Sequence, residues 1–172
     1  MNRNSFEMDG FYMAPVTDFS IFTGASVFAG DSDIDDFILN DAQWHYQRKM
    51  AVTYALTVKQ DSRVIAFATL QNDAIKLASG RDGFPYKFYP AVKIGRLGVA
   101  QPYQQQGLGS LFINMIAKFM CHENRTGCRF ITLDAYNCDK TINFYQKNGF
   151  EMLRPTTTSG ERRTIPMYRD LL

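Results

Sequence analysis

The sequence predicts an α/β fold with a mixed central sheet flanked by helices, and three observations carry that expectation. Residues 91–136 read strand, amphipathic helix, strand, a βαβ unit whose parallel strands require a right-handed crossover. Residues 51–70 read as two β-branched and aromatic segments around the turn-forming KQDS, an antiparallel hairpin. The 172 residues, 45% apolar and 21% charged, suit one folded domain and exclude a disordered chain.

Residues 11–28 are an apolar and aromatic opening, read as one strand followed by a turn around Thr23-Gly24-Ala25. The stretch 31–49 begins DSDIDDF, where Asp31 or Ser32 caps a helix and the acids suit its positive end. Its Ile34, Phe37 and Ile38 fall at i, i+3 and i+4, so one face packs. After the hairpin of 51–58 and 63–70, the segment 78–90 carries Gly80, Gly83, Pro85 and Pro90 and reads as irregular. The strand 91–99 is interrupted by Gly95 and Gly98, the pattern of a bulge or a close backbone approach.

The next helix is the clearest in the chain: Leu108, Leu111, Phe112, Met115, Ile116, Phe119 and Met120 keep helical spacing throughout. A strand over 128–136 follows, then a helix from Asn137 or Asp139 that stops at Asn148-Gly149, where a positive φ ends it. Strands around 150–153 and 163–169 close the chain.

Charge and cysteine usage narrow the function classes. A net charge of +2 is too small for a nucleic-acid polycation, so only a local basic patch would serve that purpose. Cys121, Cys128 and Cys138 lack CxxC spacing, so neither a zinc site nor a disulfide framework is indicated. With His45 and His122 the only histidines, a histidine-rich metal centre is excluded. The first residues hold no signal-peptide apolar run and no segment approaches a membrane span, which reads as a cytoplasmic protein without membrane attachment.

The chemistry concentrates at Gln104-Gln105-Gln106-Gly107-Leu108-Gly109-Ser110, the junction of a strand and a helix. Glycines let the backbone approach a ligand, and first-turn N–H groups without intrahelical partners make an anion site suited to a pyrophosphate. A tight turn with no ligand explains an isolated GLG equally well. The run is neither a P-loop nor a complete GxGxxG fingerprint.

The larger pattern, GRLGVAQPYQQQGLGSLF followed by NCDKTINFYQKNGFE, resembles the GCN5-related N-acetyltransferase (GNAT) superfamily over about residues 91–153. Gln104, Gly107 and Gly109 match its Gln/Arg-x-x-Gly-x-Gly/Ala signature; Asn137, Phe144, Tyr145, Gly149 and Phe150 match its second. The resemblance implies a single GNAT domain over 1–172 with a bulged, splayed central strand. It divides into an acceptor-side half (1–90), an acetyl-CoA-binding core (91–153) and a C-terminal strand (160–172). It implies acetyl-CoA as donor, with its pyrophosphate on the amides from Gln105 to Ser110. Its pantetheine arm pairs with backbone groups of Leu97 and Val99, and Asn137 holds the arm from the other side.

Tyr145 matches the tyrosine that in many members lies near the thioester sulfur, where a protonated phenol donates to the departing thiolate. A core tyrosine on the last helix is the plainer reading. No acid lies in 91–99, so the general base is unassigned, with Asp134 and Asp73 the nearest carboxylates by position.

The implied reaction is direct transfer of an acetyl group to a primary amine, on a small molecule or a peptide. The run FAGDSDIDDFILNDA also resembles the entrance of the GNAT-type toxins that acetylate aminoacyl-tRNA, and GRLGV their matching strand. That alternative brings an antitoxin protein as partner. It asks Arg48, Lys49, Arg81, Lys87, Lys93 and Arg96 to converge, although these residues are scattered in sequence and suit an ordinary solvated face. A homodimer is compatible with either acceptor. The aromatic segment 81–89 reads as an insertion on the sheet or a border of the acceptor pocket. A catalytically silent acyl-CoA sensor is the reading from a different class, and the presence of Tyr145 weighs against it.

Overall fold

The computed structural model of the chain describes residues 4–22, 28–59, 61–77, 85–124, 126–153 and 163–172. Two compact units emerge: Met1–Gln71 with Ile94–Phe119, and Asn72–Lys93 with Met120–Leu172. Strands β4 (Asp61–Lys76) and β5 (Phe88–Val99) each run from one unit into the other.

In the first unit the strand expected within 11–28 forms, and a short strand not read from the sequence precedes it. β1 (Phe6–Met8) and β2 (Phe11–Pro15) pair antiparallel through Met8↔Phe11 around Asp9 and Gly10, whose φ values are 52° and 81°. Asp-Gly with both residues at positive φ is a two-residue hairpin turn, and its twist matches that of the strands. β2 pairs with β3 (Val52–Val58), and β3 with β4, both antiparallel. The expected turn at 23–25 lies outside the described residues.

The helix expected over 31–49 forms in three pieces. The Asp31 side chain accepts from the N–H groups of Asp33 and Ile34 and caps α1 (Ser32–Asp36). A π-helical turn, Phe37–Asp41, follows, in which the Ala42 N–H reaches back five residues to Phe37 O. Helix α2 (Ala42–Gln47) completes the segment, and Lys49 at φ 57° ends it. The wide turn keeps Phe37, Ile38 and Ala42 in one buried cluster with Val16, Phe19, Phe22, Phe28, Ala55 and Phe67. Phe22, Phe28 and Phe67 meet pairwise with centroids 5.6–5.9 Å apart, so aromatic burial anchors the segment to the sheet.

Gly98 explains itself in the same core. A Cβ there would lie 2.7 Å from Phe67 Cε1 and 2.8 Å from Ile34 Cγ2, so the close approach inferred from sequence is made by the protein's own side chains. Helix α3 (Leu108–Cys121) buries Phe112, Met115, Ile116, Phe119 and Met120 as the spacing predicts, and Ile113 and Ala117 as well. Each large apolar side chain so buried contributes about 1.5–3 kcal/mol.

In the second unit β6 (Phe130–Tyr136) pairs parallel with β5 from Ala91↔Phe130 to Lys93↔Thr132, and antiparallel with β8 (Thr164–Asp170). β7 (Glu151–Met152) pairs with β8. One parallel ladder beside antiparallel ones makes the sheet mixed, as expected. Strand β5 starts at Phe88, so the irregular segment read as 78–90 ends earlier, while 78–84 lies outside the described residues. Helix α4 (Asp139–Lys147) follows β6 with Cys138 at its N-cap. Ile75, Leu77, Tyr89, Ala91 and Phe130 form this unit's buried cluster. Among the described residues no helix is long and apolar enough to cross a membrane.

Candidate active site

The first unit carries the glycine loop. Beyond β5 a short 3-10 turn, Gln101–Tyr103, leads into extended Gln104, and the chain then turns through Gln105 at φ 61° and Gly107 at φ 80° into α3. The first ring of α3 closes with the N–H of Leu111 on Gly107 O at 3.0 Å. The N–H groups of Leu108, Gly109 and Ser110 precede it and have no acceptor within the helix. No acid stands in the first turn of α3, and Gln104–Gly107 are exposed. A Cβ at Gly107 would meet nothing within 4 Å. An exposed loop leading into a positive helix end without acids in its first turn fits a pyrophosphate.

Leu97 and Val99 are half-buried on β5, beside this loop in the chain. The side chain of Gln104 turns inward: its Nε2 donates to Ala29 O at 2.7 Å and to Val99 O at 3.0 Å. Gln106 Nε2 donates to Pro102 O at 3.0 Å. Of the glutamines assigned to the cofactor, these two therefore use their side-chain amides within the protein, and the backbone N–H of Gln104 is itself bonded to Gln101 O at 3.3 Å. Asp35, read from sequence only as a first-turn acid, is buried with its carboxylate accepting from the N–H groups of Phe28, Ala29 and Gly30. Its place in an acid-rich first turn concealed that role.

The second unit holds the other assigned residues. Asn137 follows β6, exposed, and its N–H donates to Arg163 O at 3.0 Å. Tyr145 lies on α4, half-buried, with its ring edge-on to Phe144 and Phe150 at centroid distances of 5.1 and 5.5 Å. Burial pushes its phenol up to about 12. Its carbonyl accepts from the N–H groups of Asn148 and Phe150 at 3.0 Å, and Gly149 at φ 79° makes that turn. Both carboxylates weighed as bases have partners: Asp134 pairs with Lys93 at 2.6 Å, and Asp73 accepts from the Thr132 hydroxyl.

The basic residues are largely engaged as well. Arg96 reaches Asp33 at 3.7 Å, donates to Gly95 O and lies 5.4 Å over the Phe37 ring. Arg48 stacks 4.2 Å over exposed Trp44. Lys49 and Lys87 are exposed, while Arg81 lies outside the described residues. In the aromatic segment Tyr86 and Phe88 are exposed, whereas Tyr89 is buried and accepts from the Tyr86 N–H at 2.7 Å.

Comparison with known proteins places this geometry. The acetyltransferase (GNAT) domain profile matches residues 53–152. No curated protein matches the sequence. Among solved structures the fold is shared with a Tyr→Phe variant of KacT at TM-score 0.75 and 17% identity, covering 95% of this chain and 96% of that one. AtaT complexed with acetyl-methionyl-tRNAfMet matches at TM-score 0.71 and 20% identity, covering 93% and 94%. A further match, described as a bacterial toxin, has TM-score 0.73 and 20% identity and covers 94% and 90%. Because the profile spans more than half of the chain and both signatures, the chain belongs to the GNAT family, enzymes that transfer an acetyl group from acetyl-CoA to an amine.

Proposed function

We propose that this N-acetyltransferase acts on the amino group of an aminoacyl-tRNA and is neutralised by an antitoxin protein. The observation that carries the proposal is the extent of the fold match. The family profile begins at residue 53, whereas KacT and AtaT cover 93–96% of the chain and so include most of its first 52 residues. Acceptor choice lies outside the cofactor motifs, so a shared N-terminal half favours a shared acceptor class. The neighbour AtaT is solved with acetyl-methionyl-tRNAfMet and with its antitoxin AtaR, and KacTA with DNA. In this reading residues 1–172 form one catalytic domain in the cytoplasm, and a homodimer is its proposed assembly.

Acetyl-CoA supplies an activated thioester carbonyl. The amides from Gln105 to Ser110 would hold its pyrophosphate, the backbone of Leu97 and Val99 and the side of Asn137 would guide the pantetheine arm, and Tyr145 would donate to the leaving sulfur. Burial raises the Tyr145 phenol from 10 to about 12, so it stays protonated at neutral pH. Tyr145 therefore donates a hydrogen bond that stabilises the developing thiolate. Bound acetyl-CoA would supply the acetyl group to the acceptor nitrogen, and the proton released by that nitrogen would balance the charge left on sulfur as the C–S bond breaks.

A second reading, a small cationic amine, is favoured by one feature: Asp31, Asp33, Asp36 and Asp41 are exposed along α1 and the π-helical turn. Expression without any partner gene separates the two. The toxin reading predicts growth arrest by the parent chain and normal growth with Tyr145→Phe at equal protein level. Equal growth of both cultures points to the small amine.

A further inference from the structure

In the first unit, three consecutive residues that carry no chemistry of their own all donate their N–H groups to one buried carboxylate. The N–H groups of Phe28 and Ala29 donate to Asp35 Oδ1 at 3.1 and 2.6 Å, and that of Gly30 to Asp35 Oδ2 at 3.1 Å. Gly30 makes this convergence possible at φ 75°, and a Cβ there would lie 2.3 Å from Gln101 Nε2. The carbonyls of the same segment face the glycine loop: Phe28 O accepts from the Gln101 N–H at 2.9 Å, and Ala29 O from Gln104 Nε2 at 2.7 Å. Since Gln104 Nε2 also reaches Val99 O, one amide group joins α1's clamp, the end of β5 and the loop entrance.

We propose that Asp35 and Gln104 are positioning residues for acetyl-CoA, holding the pyrophosphate loop in its binding shape through residues 28–30. The proposal rests on assigning that loop to the pyrophosphate. Its physical basis is the strain that the loop carries: Gln105, next to Gln104, stands at φ 61°, a conformation that a non-glycine residue keeps only when its surroundings impose it. The buried carboxylate supplies the fixed point, because charge-assisted bonds from three N–H groups outweigh the neutral bonds an asparagine would make. An asparagine at 35 also turns an N–H donor toward the N–H of Phe28 and Ala29 or that of Gly30.

The test is calorimetric binding of coenzyme A to the full chain, with amide hydrogen exchange of the free protein. Gln104 is exposed, so Gln104→Ala should fold; it should weaken coenzyme A binding by about fivefold or more and speed exchange at 28–30 and 105–110. Gln104→Arg, whose guanidinium can donate to both carbonyls, should recover affinity to within about twofold of the parent. Asp35→Asn should weaken binding at least as much, and combining it with Gln104→Ala should add little, because both act through one segment. At saturating acetyl-CoA, kcat of Gln104→Ala should stay within about twofold of the parent, the loss appearing in KM. Parent affinity in Gln104→Ala, failure of Gln104→Arg to recover affinity, or losses that add fully in the double variant would overturn the proposal. Gly109→Val is the control: parent affinity there removes the loop assignment itself, whereas lost affinity there beside an unaffected Gln104→Ala removes only the positioning role.

Discussion

Lys93 Nζ stands 2.6 Å from Asp134 Oδ2 across the parallel β5–β6 pair, and Thr132 on the same ladder donates to the Asp73 carboxylate. Each of these two carboxylates is thus held by a partner within the protein. Asp134→Asn and Asp73→Asn should each keep kcat/KM within about threefold, since a general base contributes some 10² to 10⁴. Steady-state rates at neutral pH check this, and a hundredfold loss in either variant would identify the base.

Tyr145→Phe keeps the ring that packs on Phe144 and Phe150 and removes the hydroxyl. Turnover should fall by about 10² to 10⁴ with coenzyme A affinity little changed. The pH dependence has a defined sign. Because burial raises the folded phenol from 10 to about 12, its contribution to stability is fully present below pH 10 and is lost as pH rises toward 12. Chemical denaturation between pH 9 and 12 should show that loss in the parent chain and a shallower one in Tyr145→Phe.

Gly98→Ala tests the core behind β5. Its methyl would press on Phe67 and Ile34 at 2.7 and 2.8 Å, and overpacking of this kind costs about 1–3 kcal/mol. Thermal unfolding should show a clear drop in Tm. An unchanged Tm would mean that the Phe67 ring yields freely.

The legible parts of the sequence were those where one signal ruled locally. The stripe from Phe112 to Met120 gave α3, β-branched runs gave the hairpin, and Asn148-Gly149 ended α4. The π-helical turn at Phe37–Asp41 was hidden because it answers to tertiary packing of Phe37, Ile38 and Ala42, which helical spacing does not encode. The hairpin at Asp9-Gly10 did have a local signal, an Asp-Gly pair between apolar residues, in a segment too short for strand periodicity. In the site, the glycine loop was readable from its motif. The inward turn of Gln104 was not, since it depends on residues 28–30 arriving from far earlier in the chain, and the clamp at Asp35 was hidden by its place in an acid-rich first turn.

Gly109→Val places a branched side chain in the first turn of α3, whose amides are proposed to hold the pyrophosphate. Each charge-assisted hydrogen bond lost should cost about 1.5–3 kcal/mol, so coenzyme A binding should weaken at least tenfold. Calorimetry on the folded variant checks this, with circular dichroism confirming that α3 is retained.

The most direct test of the central claim is acetyl transfer from labelled acetyl-CoA to purified aminoacyl-tRNA, measured beside polyamines and a free amino acid amide over a range of salt concentrations. An enzyme acting on charged tRNA should label the aminoacyl-tRNA in preference to the small amines, with a rate that falls steeply as salt displaces its cations from phosphates. Tyr145→Phe should lose that labelling. Efficient, salt-insensitive acetylation of a polyamine with unlabelled aminoacyl-tRNA would contradict the account.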